Sequence, residues 1–217
     1  MSKPRERYVA VKIDVVRSRR AKDRPALQAS LFATAEKVND RWQAAIASRF
    51  IVTHGDEVQG MLHWSGRAAL LGCVEDWVDG LLPHKVRFGV GVGRLDTPVR
   101  PEAIGMDGEA WHRASDAVRI ARNQRKHFAL IGTTPDTDRA LTALANLLLA
   151  VRYEWTPKQA DAIRHVASSR TQAEAARKMR IAAATLSRHL SAANWDVYRE
   201  GRETFVEIIS RLGDRRP

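Results

Sequence analysis

The chain has 217 residues, 44% of them hydrophobic, and its 36 Lys and Arg outweigh 25 Asp and Glu for a formal charge of +11. That length and apolar fraction exclude global disorder and fit one large domain or a medium domain with a small appendage, while the charge favours polyanionic partners, nucleic acid ahead of membrane. The apolar stretch Leu141 to Val151 is too short to span a bilayer and no signal-peptide core follows Met1, so a cytoplasmic location without a membrane partner is expected; the lone Cys73 reads as a small buried hydrophobe.

The run Tyr8 to Ile13 predicts a strand that ends on Asp14. Val15-Val16-Arg17-Ser18-Arg19-Arg20 follows, either a turn whose amides and cations wrap a phosphate chain or a basic surface loop. Between Arg24 and Ser48, Leu27, Leu31, Ala35, Val38, Trp42 and Ile46 recur at helical spacing, predicting one long or two short amphipathic helices. Phe50 to Leu62 reads as strand, tight turn and strand with Gly55-Asp56-Glu57 at the tip; His54 is a turn residue or a partner of the acids beside it. A helix over Gly66 to Leu82 is stopped by Pro83, and a strand over Lys85 to Val92 follows.

Pro98 to Asp107 is a loop, Gly108 to Asn123 a helix that Asp107 can cap, Phe128 to Ile131 a short strand, and Asp136 to Val151 a helix with Asp136 or Thr134 near its start. This alternation predicts an α/β fold with one sheet, which the hairpin makes mixed. A second, all-helical unit opens at Thr156, a good N-cap, and Pro157, a good first helical residue, giving domains 1–152 and 153–217. Thr171-Gln172-Ala173-Glu174 is a capping box, Arg180-Ile181 a turn, and Ala183 to Ala192 a third helix, with Ala160, Ile163, Val166, Ala175, Ala176, Ile181 and Leu186 inward. Trp195, Tyr198, Phe205, Ile208 and Ile209 stripe a C-terminal helix that finishes the small core or pairs two chains.

Two carboxylates on neighbouring strands, Asp14 and Asp56, suit Mg²⁺, which prefers one or two carboxylates plus substrate phosphates. The Asp14 strand, the Gly55-Asp56-Glu57 hairpin and Arg87-Phe88-Gly89-Val90-Gly91-Val92-Gly93 occur in the order found in nucleotide cyclase and GGDEF palm domains. With His54-Gly55-Asp56-Glu57-Val58-Gln59-Gly60 and Asp107-Gly108-Glu109-Ala110-Trp111-His112 added, the chain resembles the SatD family over nearly its whole length. The resemblance implies a ferredoxin-like palm of cyclase or GGDEF type followed by a helix-turn-helix. It also implies Asp14, the Val15 carbonyl and Asp56 as ligands of Mg²⁺ or Mn²⁺, with Arg17, Ser18, Arg19, Glu57, His112 and Arg113 around a nucleotide. His112 stands where the cyclases carry an asparagine, a departure that bears on turnover more than on binding.

In a helix-turn-helix the outward N-terminal residues of the second helix of the pair enter the major groove. Those are Ala184, Thr185, Ser187 and Arg188, flanked by His189, while Arg177, Lys178 and Arg180 are placed to grip phosphates. The other reading is a helical bundle for dimerisation or docking. Together these readings give a DNA-binding regulator of double-stranded DNA, homodimeric, whose palm binds a nucleotide or cyclic nucleotide with Mg²⁺. The alternatives are a Mg²⁺-dependent nucleotidyl cyclase or oligonucleotide synthase with an accessory helix-turn-helix, and a palm kept only as a dimerisation scaffold.

Overall fold

In the computed structural model, residues 6–18 and 23–213 are described. They form two compact units, one of the described residues up to 146 together with 205–213, and one of residues 147–204.

The first unit is built on a five-stranded sheet in the order β2-β3-β1-β4-β5. Its strands are β1 (Tyr8–Val15), β2 (Ile46–His54), β3 (Glu57–His63), β4 (Val86–Gly93) and β5 (Phe128–Ile131). All pairs among the first four are antiparallel and β5 joins β4 in parallel. With α1 (Arg24–Arg41) and α2 (Leu70–Leu81), entered through a 3-10 turn at Trp64–Ala69, the first four strands trace the split βαββαβ order of a ferredoxin-like fold. The palm-like mixed sheet expected from the sequence is therefore present, and α3 (Glu109–Asn123) carries the chain across to β5.

Strand alternation assigns the two faces. Val9, Val11, Ile13 and Val15 point to one, where they are buried with Leu31, Val38, Phe50, Trp77 and Phe88. Tyr8, Ala10, Lys12 and Asp14 point to the other, opposite Gly93, Gly91, Gly89 and Arg87 of β4. The glycines matter because α3 lies against them: a Cβ on Gly91 would come within 2.1 Å of the Ala110 carbonyl, and one on Gly89 within 2.3 Å of the Val118 amide.

The helix expected between Arg24 and Ser48 is shorter than its apolar spacing suggests. It starts on Asp23, whose carboxylate accepts from Ala26 N at 2.9 Å, and ends at Arg41. Ile46 instead pairs with Leu62, so pairing with β3 overrides the helical propensity of the alanines around it. Asn39 fixes α1 to β2, its amide donating to Phe50 O at 2.9 Å and accepting from Phe50 N at 2.8 Å in the core. The edge of β5 is closed by α4 (Pro135–Tyr153), where Thr142 Oγ1 accepts from Leu130 N and Asn146 Oδ1 from His127 N and Phe128 N. Thr134 caps that helix, accepting from Thr137 N at 3.2 Å.

The second unit contains α5 (Pro157–Ala167), α6 (Gln172–Lys178), α7 (Ala183–Ala192) and the start of α8 (Trp195–Ser210). Thr156 and Gln159 form the full capping box of α5. At α6 only half of the expected box is made. Thr171 Oγ1 accepts from Glu174 N at 3.1 Å, but Glu174 Oε2 reaches Arg170 N instead of Thr171 N. Ala162, Ile163, Ala175, Ala176, Leu186 and Leu190 are the core, with Trp155, Val166, Met179 and Ile181 against it. Trp195 and Tyr198 of α8 meet Trp155 edge-on there, whereas Phe205 meets Phe128 edge-on within the first unit, so one apolar stripe serves two cores.

Candidate functional site

Asp14 sits at the end of β1, buried, on the face that α3 covers. Its carboxylate is held at both oxygens: Oδ2 accepts from Arg87 Nη1 of β4 at 3.0 Å, and Oδ1 lies 3.0 Å from Arg122 Nη2 of α3. Arg87 is its direct cross-strand partner, so the sheet register itself creates the pair. Glu57 is the opposite neighbour on β3 and is exposed. Asp56, at the hairpin tip, lines a separate small cavity of about 190 Å³ with Ser18, Gly55 and the first turn of α1, including Arg24 and Gln28.

A divalent cation needs open carboxylate oxygens, and at Asp14 both are taken by guanidinium groups. Among the described residues no three His, Cys, Asp or Glu side chains gather as a metal site. As placed, the side chains do not fit a shared Asp14–Asp56 cradle for Mg²⁺ or Mn²⁺ unless Arg87 and Arg122 let go. The Val15 side chain is buried.

Of the residues placed around a nucleotide, Arg17 and Ser18 lie three and four residues after Asp14, Arg17 exposed with φ +58° and Ser18 buried. Arg19 lies outside the described residues. His112 and Arg113 are not brought to Asp14. Arg113 donates to Val92 O and pairs with Glu109, and His112 pairs with Asp107 at 2.7 Å. Val92 and Arg87 stand five positions apart on β4, about 17 Å at strand rise. The Asp107 carboxylate, expected to cap α3, accepts from Gly108 N and His112 rather than from the first turn of the helix.

Sequence reading missed Arg87 and Arg122 as the groups that meet Asp14. The clue to Arg87 was its place one residue into a strand, but its pairing needs the order of the sheet. Arg122 was findable only once Gly89 and Gly91 were read as the track on which α3 lies.

On the second unit, Ala184, Ser187 and Arg188 of α7 are exposed, while Thr185 and His189 are half-buried. Arg188 Nη2 donates to Thr185 Oγ1 at 3.2 Å, one turn back. Arg180 occupies the turn with φ +55°, the conformation a glycine adopts freely, so the turn keeps its usual shape with an arginine in it. Lys178 is less available than its sequence position suggests. Its ammonium pairs with Glu174 at 2.9 Å and donates to Ser168 O and Ser169 Oγ, and the Glu174 carboxyl is held below its usual range by that hydrogen bond. Arg177 is exposed.

The chain belongs to the SatD family, whose profile matches residues 8–209. No curated protein matches it. Among solved structures it is similar to a bacterial light-regulated adenylyl cyclase, at 14% identity and a TM-score of 0.45 over 58% of this chain and 75% of that one. It is also similar to the guanylyl cyclase domain of the RhoGC fusion protein from the aquatic fungus Blastocladiella emersonii, at 15% identity and a TM-score of 0.41 over 53% and 74%. A regulator of polyketide synthase expression from Bifidobacterium adolescentis aligns over 97% of this chain and 87% of its own, at 13% identity and a TM-score of 0.21. No helix among the described residues is long and apolar enough to cross a membrane.

Proposed function

We propose that this protein is a DNA-binding regulator whose palm binds a nucleotide and thereby modulates the helix-turn-helix. The observation that carries the DNA half is α7, which presents Ala184, Ser187 and Arg188 to solvent on a helix whose inner side is anchored by Leu186 and Leu190. An exposed arginine there is suited to guanine, and the excess of 11 positive charges supplies the phosphate attraction. Arg177 and Arg180 are the phosphate contacts in this reading; Lys178, engaged with Glu174, is the weakest of the three. Two copies of the chain would read two half-sites about one helical turn apart.

The nucleotide half rests on the β1 end of the sheet, where Arg17 and Ser18 follow Asp14. Mg²⁺ or Mn²⁺ on Asp14 and Asp56 would require Arg87 and Arg122 to release the Asp14 oxygens that they hold. The enzyme reading, a nucleotidyl cyclase or oligonucleotide synthase, is favoured by one observation: Asp14 and the hairpin acids stand at the same end of the sheet, Asp14 directly across from Glu57. Selecting duplexes from a random pool and titrating the winner with and without each nucleotide tests the regulator. Nucleotide must change DNA affinity, and DNA must change nucleotide affinity by the same factor. Pyrophosphate release from a nucleoside triphosphate with Mg²⁺ or Mn²⁺ would instead establish the enzyme.

A further inference from the structure

Beside Asp14, on the side away from the hairpin, the turn after β1, the entry to β4 and the end of α3 enclose a cavity of about 670 Å³. Arg17, Lys85, Arg87, Arg125 and Lys126 line it, with two histidines, and no acidic residue is among its described lining residues. These cations come from three separate stretches of chain, so the cluster is not one helix terminus offsetting its own dipole. Arg125 and Lys126 follow the last turn of α3 and suit its carbonyl end, whereas Arg17 lies in the turn after β1.

Like charges gathered around one cavity repel, and the cost falls only with distance, solvent or an anion. Arg87 is offset by Asp14. Arg17 and Arg125 add a second cost, since both hold left-handed backbone, φ +58° and +55°, where a glycine would sit without strain.

We propose that this cavity binds a phosphate chain of two or three linked phosphoryl groups, through guanidinium and ammonium donors and without a divalent cation. The proposal rests on the nucleotide reading above and locates the phosphates of that ligand. It accounts for Asp14 as the group that aims Arg87 rather than as a metal ligand. Linked phosphates present several anionic oxygens, which the forked donors of Arg17, Arg87 and Arg125 match better than point charges would.

The test is calorimetry on the full chain in EDTA, with inorganic triphosphate and ATP as probes. Wild type should bind both. Arg17→Gly and Arg125→Gly suit the left-handed backbone they replace, so the fold should persist while each variant binds about tenfold or more weakly. Lys37→Gln removes an equal charge from an exposed site on α1 and should bind as wild type. Equal loss in Lys37→Gln, or no loss in both glycine variants, overturns the proposal. If ATP binds only with Mg²⁺ and Asp56→Ala abolishes it, the cavity is wrong while the nucleotide reading stands; if neither condition gives binding, that reading falls too. Loss of duplex DNA binding in the glycine variants without any triphosphate binding would assign the cations to a nucleic-acid backbone and overturn it as well.

Discussion

His127 shows how the basic end of the sheet acts on a single group. Burial lowers its pKa below the ordinary 6.5, and Lys85 and Arg87 add to this, while the Nδ1–H bond to Val86 O at 2.9 Å works the other way. Below 6.5 the unfolded chain takes up a proton that the folded site resists, so stability is full above that value and falls as the pH drops toward the lowered folded pKa. Urea unfolding between about pH 5 and 7 should show this slope in wild type, and His127→Asn should flatten it. An identical slope in the variant would place the titration elsewhere. Arg180 offers a second residue-scale test. At φ +55°, Arg180→Gly should hold or raise stability by about 1 kcal/mol in thermal unfolding, yet weaken DNA binding by removing a phosphate contact. Loss of stability would mean that the side chain, not the backbone, shapes the turn. The acids themselves were legible from sequence, since Asp14 and Asp56 stand where apolar runs stop. Their surroundings were not, because Asp14 meets Arg87 and Arg122 only through sheet register and helix packing.

At the scale of elements, the helix that joins β1 to β2 is tied to β2 by a buried pair of hydrogen bonds as well as by its apolar side. Asn39 satisfies both backbone polar groups of Phe50, and Asn39→Leu would leave a donor and an acceptor in the core without partners. A loss of about 3 kcal/mol in chemical denaturation is expected; a change below about 0.5 kcal/mol would mean that water replaces the amide. The strands were readable from alternation and the hairpin from its Gly55-Asp56 tip, but the end of α1 was not. Ala44, Ala45 and Ala47 continue a helical pattern that only pairing across to Leu62 and Met61 overrules. The shared stripe on α8 was unreadable for a related reason. Spacing says which side of a helix is buried, and nothing in it says that Phe205 belongs with Phe128 while Tyr198 belongs with Trp155. Arg67 secures the end of that helix in the first unit, donating to the carbonyls of Ile209, Ser210 and Leu212, and it stacks on Trp64, which Arg7 covers from 4.2 Å.

For the molecule as a whole, the two proposals divide one excess of positive charge between two polyanion sites. One is the cation-lined cavity at the end of β1 and the start of β4, the other the α7 face with Arg177 and Arg180. Each chain crossing between the units falls inside a helix, α4 or α8. The most direct test of the central claim is the affinity of the full chain for a selected duplex, in wild type and in Arg188→Ala, across a range of salt. Arg188→Ala should lose about 1–3 kcal/mol on the selected duplex, and little on an unrelated one, with the salt slope nearly unchanged. Equal affinity of wild type and Arg188→Ala for every duplex would contradict it.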